Sequence, residues 1–198
     1  MNKMKYLITG ICFVVLTSFS SDNLPKQFTD LLNITKMTFD QPDQYFETPV
    51  IENPQMNYEY AIINNAKDFE IRYAIRPLDE RIKNHNEREK NKKPGDINIH
   101  PNKLHTATFQ AVVFNVSGGK FPKIGEFEPE SVKKEFNADW GALTMVEVGK
   151  EFGTDYKYCL LITIHKDDVA DAYFFYLSNT KEDITKNMQA PFHALRFK

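Results

Sequence analysis

The sequence predicts an α+β protein built as one domain, with a central, mainly antiparallel sheet flanked by helices. Three observations lead there. Two stretches, residues 56–75 and 158–177, read as β-hairpins, with strand-length apolar runs on either side of a polar break. A helical apolar stripe follows the second hairpin directly. The composition, 41% hydrophobic with sixteen Phe and nine Tyr, suits the half-buried surfaces of a sheet and fills one sizeable core.

Taken in order, the chain begins with Lys3 and Lys5, an apolar run over residues 6–19, and the small residues Ser18 and Ser20. That is the charged, apolar, small-residue order of a secretory signal peptide, assigned to residues 1–20. The run is too short for the roughly 20 residues of a membrane span. The lipoprotein reading of Cys12 fails because Ile11 stands where a small residue is needed. An exported protein, periplasmic or extracellular, is therefore expected. Losing Lys3 and Lys5 leaves 23 basic against 27 acidic side chains, a net charge of −4. This balance gives no electrostatic footprint for nucleic acid. Cys159 is then the one remaining cysteine, so no internal disulfide can form, and on a central strand it reads as a small buried hydrophobe.

Residues 27–34 suit a short helix with Phe28, Leu31 and Leu32 on one side, and residues 37–39 a first strand. Pro42, Pro49 and Pro54 keep residues 41–55 irregular or at a sheet edge. In the first hairpin Phe69, Ile71, Tyr73 and Ile75 share a core face, and Glu70, Arg72 and Arg76 share a face expected to be polar. Residues 79–103 carry five acids, seven bases and scarcely an apolar side chain, so a charged, mobile insertion is expected. Residues 101–116 fit either a helix or a buried strand, and Pro101 with Gly118-Gly119 favours the helix.

Glu128-Pro129-Glu130 opens a further helix, with Val132 and Phe136 on its buried side and Asn137 as a left-handed cap. Residues 143–148 form another strand. Residues 158–164 are apolar on both faces, which marks a central strand. Residues 165–168 break it and residues 170–177 return. Thr180 and Asp183 form a capping box, and Ile184, Met188, Phe192 and Leu195 make the closing stripe, with Pro191 set to kink or restart the helix.

The chemistry is written largely in absences. No HExxH helix, CxxC pair or GxSxG elbow occurs, and Ser117-Gly118-Gly119-Lys120 is no phosphate loop because Phe114 holds the first glycine position. No catalytic residue, metal ligand or cofactor is nominated. His165 with Asp167, Asp168 and Asp171 is the densest group of possible ligands, but turn aspartates ordinarily serve backbone geometry. Four residues are singled out for binding a ligand or partner: Trp140, Asp139, Arg72 and Arg76. The one tryptophan could serve as a platform or as packing, and the arginines could receive a carboxylate or pair with Glu70 and Glu59.

Two segments carry a resemblance. The closing order of strand, turn, aromatic strand and helix, ending in Phe192-His193-Ala194-Leu195-Arg196-Phe197, resembles the PsbP-like family, and Phe39-Asp40-Gln41-Pro42 is similar to that family's opening. The match covers the outer thirds of the chain. Residues 78–103 and 137–141 have no counterpart in it. The resemblance implies an α/β/α sandwich and a non-catalytic docking or assembly role, and it carries over no functional residue. The expected function is an exported binding module whose partner is a protein or small molecule. The alternatives are a small-molecule carrier with a pocket near Trp140, and a hydrolase-type enzyme using Asp139 or Asp168 with a histidine.

Overall fold

The computed structural model describes residues 24–153 and 155–198. The signal-peptide assignment lies outside those residues. In chain order the elements are α1 (Lys26–Ile34), β1 (Met37–Phe39), β2 (Tyr45–Glu47), β3 (Tyr60–Asn64), β4 (Phe69–Pro77) and α2 (Asp79–Lys90). A short 3-10 turn, Pro101–Lys103, leads into α3 (His105–Val116), β5 (Gly125–Glu126) and α4 (Pro129–Phe136). Then come β6 (Trp140–Glu147), β7 (Tyr158–Lys166), β8 (Ala170–Ser178), α5 (Lys181–Asn187) and β9 (Leu195–Phe197). Among the described residues no helix is long and apolar enough to cross a membrane.

Seven strands form one sheet in the order β2-β3-β4-β8-β7-β6-β5, with every neighbouring pair antiparallel. The long aromatic strand β8 lies at its middle with all nine residues buried, and β7 beside it is buried except at its ends. Both strands are apolar on alternate faces because helices cover both sides of the sheet. One layer places Phe28 and Leu32 of α1, Val132 and Phe136 of α4 and Ile184 of α5 on Ile71, Tyr73, Phe174 and Tyr176. The other places Phe109, Val112, Val113 and Val116 of α3 on Ala74, Leu161, Tyr173 and Phe175. The result is the α/β/α arrangement of an α+β fold. Gly141 allows α4 to settle onto β6, since a Cβ there would lie 2.8 Å from Val132 and 2.9 Å from Phe127.

Several expectations hold. Residues 105–116 are helical, and Asn137 caps α4 in the left-handed region at φ 51°. Cys159 is a free, buried thiol pushed well above its ordinary range by burial, with Arg72 opposing. The Thr180 oxygen accepts the Asp183 N–H at 3.1 Å, and the Asp183 carboxylate takes the threonine hydroxyl rather than a backbone amide.

Other expectations need correction. The closing helix neither kinks nor restarts at Pro191. It stops at Asn187, and Leu195 belongs to β9, which pairs with β1 and ties the end of the chain to its start (Met37↔Phe197). Proline removes a helix donor and biases the residue before it toward extended backbone, while the Asp40 N–H to Ala194 carbonyl bond (2.8 Å) rewards the strand. The strand expected at residues 143–148 begins earlier, so Trp140 lies on β6 rather than in a loop. The face of β4 expected to be polar is covered: Glu70 and Arg72 are buried. Residues 79–103, whose composition suggests a structureless excursion, contain the regular helix α2, none of whose residues is buried.

Candidate functional site

Antiparallel register sets Trp140 of β6, His165 of β7 and Asp171 of β8 side by side in one row across the sheet. The first residue of α3 lies over that row. The His105 ring stacks on His165 (centroids 4.3 Å apart, 27° between planes) and leans on Trp140 at 4.6 Å, while Phe109 one turn later meets the indole edge-on at 6.2 Å. His105 is positioned by Nδ1, 2.7 Å from the Asn102 carbonyl. Asn102 in turn clasps the β7–β8 turn, exchanging two 3.0 Å bonds with Asp168, which sits at φ 62°.

His165 is 1% exposed. Its Nδ1 lies 2.7 Å from Asp171 Oδ1 and its Nε2 3.0 Å from Asp167 Oδ1. Each ring nitrogen thus faces a carboxylate oxygen, an arrangement that favours the charged, doubly donating form of the ring. Burial opposes that charge, but the hydrogen bonds and charges of Asp171 and then Asp167 outweigh it, and the His165 pKa is raised. With both nitrogens occupied and no solvent access, the ring has no free atom with which to take a proton from a substrate. This cluster pins the β7–β8 turn.

The residues singled out from the sequence are at separate places. Asp139 accepts the Asp167 N–H at 3.0 Å and the Lys133 ammonium at 3.1 Å. Burial pushes its pKa up, but the backbone bond and Lys133 more than offset it, so the carboxyl is lowered. Neither Asp139 nor Asp168 has a histidine as its partner, whereas the hydrolase alternative paired one of them with a histidine. Arg72 is 3% exposed, donates from Nε to Glu70 (2.6 Å) and from Nη1 to the Phe152 carbonyl (2.6 Å), and lies 5.0 Å from both the Tyr58 and Phe152 rings. Arg76 donates to both oxygens of Glu59 (2.8 and 3.0 Å) and to the Asn57 carbonyl. Glu59 also accepts the Ile75 N–H at 3.0 Å. Both arginines are thus committed to internal partners. Trp140 is half-buried under His105 and Phe109, and it is not among the residues that line four of the surface clefts, of 370 to 760 Å³.

The feature that sequence reasoning missed lies in residues 79–103. The segment after α2 folds back on the helix through Asn98, whose amide donates to the His85 carbonyl (3.0 Å) and the Glu89 carboxylate (2.7 Å). The Glu89 pKa is lowered by that bond and by the one from Lys92. The His85 and His100 rings meet edge-to-face at 4.8 Å. Asn98 is held inward while its two neighbours face water: Ile97 is 88% exposed and Ile99 53%. The visible signal was the Ile-Asn-Ile alternation inside an otherwise charged stretch.

No family model matches the chain, and no curated protein does. Among solved structures it is similar to the solution structure of cyanobacterial PsbP (CyanoP) from Synechocystis sp. PCC 6803. The identity is 10% and the TM-score 0.43, over 83% of this chain and 88% of that one.

Proposed function

We propose that this protein is an exported, non-catalytic binding module that docks onto a protein partner through residues 79–103. The observation that supports the reading is the pair Ile97 and Ile99, two large apolar side chains held out to water by a segment anchored beside them. An isolated exposed apolar residue is ordinary, but two on either side of an anchored asparagine offer a partner apolar surface to bury. Beside them are the charges of Glu89, which binds the Asn98 amide, and Lys92, which pairs with Glu89. An apolar centre with a charged rim is the anatomy of a protein interface. The charged, apolar, small-residue order of residues 1–20 supports export as part of this reading.

The test is capture from the native host's envelope and culture medium, using residues 21–198 as bait beside the variant Ile97→Ser/Ile99→Ser. Both side chains are exposed, so circular dichroism of the variant should match the parent. A partner retained by the parent and reduced about tenfold or more by the variant is the expected result. Equal capture by the two baits contradicts the docking surface.

A further inference from the structure

A second cleft lies at the other end of the sheet and goes beyond the docking reading. Strand β4 runs from Phe69, beside the β3–β4 turn, to Pro77, just before α2. Nine extended residues thus separate that turn from the start of α2, roughly 26 Å at the rise of a strand. Around the turn three segments converge: residues 43–45 at the start of β2, residues 64–66, and Lys186, Asn187, Gln189 and Ala190 at and beyond the end of α5. They enclose about 760 Å³, within the size range of small-ligand sites.

The walls are of two kinds. Some are fixed: the Asn64 side chain accepts the Asp68 and Phe69 N–H groups (3.1 and 3.2 Å), and its amide donates to the Asp68 carboxylate at 2.7 Å. Asn187 donates to the Asp183 carbonyl at 2.9 Å, and its own carbonyl accepts the Tyr45 hydroxyl at 3.2 Å. The Tyr45 ring is set edge-on to Phe69 at 6.2 Å, so a half-buried aromatic is held at the cleft. Other walls are free. Gln44, Asn65 and Gln189 are exposed and their side chains make no hydrogen bond to another described residue.

We infer that this cleft binds a neutral saccharide. Each free amide offers one acceptor and two donors, which is the complement of a pair of neighbouring sugar hydroxyls. The Tyr45 ring supplies an apolar surface for the C–H face of a pyranose. One acid, Asp43, and one base, Lys186, line the cleft together, so no net charge selects an anion or a cation. The apolar walls besides Tyr45 are Ala66 and Ala190, too little surface for a lipid-like ligand.

Free oligosaccharides and the glycans of a polymer share this chemistry, and the experiment separates them. Saturation-transfer NMR would use maltotriose, cellotriose and tri-N-acetylchitotriose in turn, and co-sedimentation would use insoluble cellulose and chitin. The proposal expects transfer to the ring protons of at least one trisaccharide, or co-sedimentation with one polymer. Either signal should drop about tenfold in Asn65→Ala/Gln189→Ala, two exposed changes that remove amide donors and acceptors without touching the core. Absence of signal from every trisaccharide and polymer overturns the proposal, as does a signal undiminished in the variant. Ile97→Ser/Ile99→Ser should leave saccharide binding unchanged, which separates failure of this site from failure of the docking surface.

Discussion

The β7–β8 hairpin and the segment of residues 79–103 are of similar length and are used in opposite ways. In the hairpin nearly every side chain is spent on the fold: β8 is buried along its whole length, and His165 and Asp171 satisfy each other inside. In the segment no residue of α2 is buried, and the returning chain is held by Asn98 and by the His85–His100 ring contact. The difference teaches where to look for function. A stretch whose side chains all have internal partners has little to offer a ligand, whereas one that spends few of them keeps the rest available.

The comparison can be broken first at its heaviest point. Phe174 is fully buried between the Tyr73 and Phe136 rings, 5.7 and 6.1 Å away. Phe174→Ala should cost about 3–5 kcal/mol in chemical denaturation, from lost transfer energy and the cavity left behind. A smaller loss would mean that the hairpin is not the centre of stability. The next effect is electrostatic. Asp171→Asn removes the buried carboxylate that faces His165 Nδ1 and should cost about 1.5–3 kcal/mol at neutral pH. The same pair fixes a pH dependence. Because His165 has a folded pKa above its unfolded value of 6.5, its contribution is fully present below 6.5 and is lost as pH rises through the folded value. Denaturation midpoints of the parent should therefore carry a downward term above pH 6.5, and in Asp171→Asn that term should shrink. A slope unchanged by the substitution would remove His165 as its source. The smallest effect is at the edge of the hairpin unit. Thr180→Ala removes the cap of α5 and should cost about 1 kcal/mol.

The same contrast explains what could be read from the sequence. Elements that bury an apolar pattern announced themselves: both hairpins, α1, α4 and the start of α5 follow from periodicity and caps. The apolar run of α3 suited strand as well as helix, and only Pro101 and Gly118-Gly119 favoured the helix. The helix α2 was illegible as structure because its pattern is charged all round and its contacts are polar ones with the segment that follows. The Glu70 pairing of Arg72 was visible as an option in the sequence, but the partner that buries the guanidinium is remote. The Phe152 carbonyl is eighty residues away, and no local pattern could show it folding over β4. Trp140 was legible as packing or platform, but its covering rings, His105 and Phe109, come from a helix that pairs with nothing nearby in the chain. Leu195 fitted a helical stripe, and only the long-range pairing with Phe39 turns it into a strand. Pairwise contacts across long separations are what a single sequence conceals.

The central claim is that structure is invested in the hairpin and withheld from the segment after β4. Native-state hydrogen exchange of the free protein tests it most directly. The amides of β7 and β8 should exchange only through global unfolding, at the free energy given by denaturation. Those of α2 should exchange through local opening at a much lower free energy, because no buried side chain holds the helix down. If the α2 amides prove as slow as those of β8, residues 79–103 belong to the cooperative core and the contrast between the two regions is wrong.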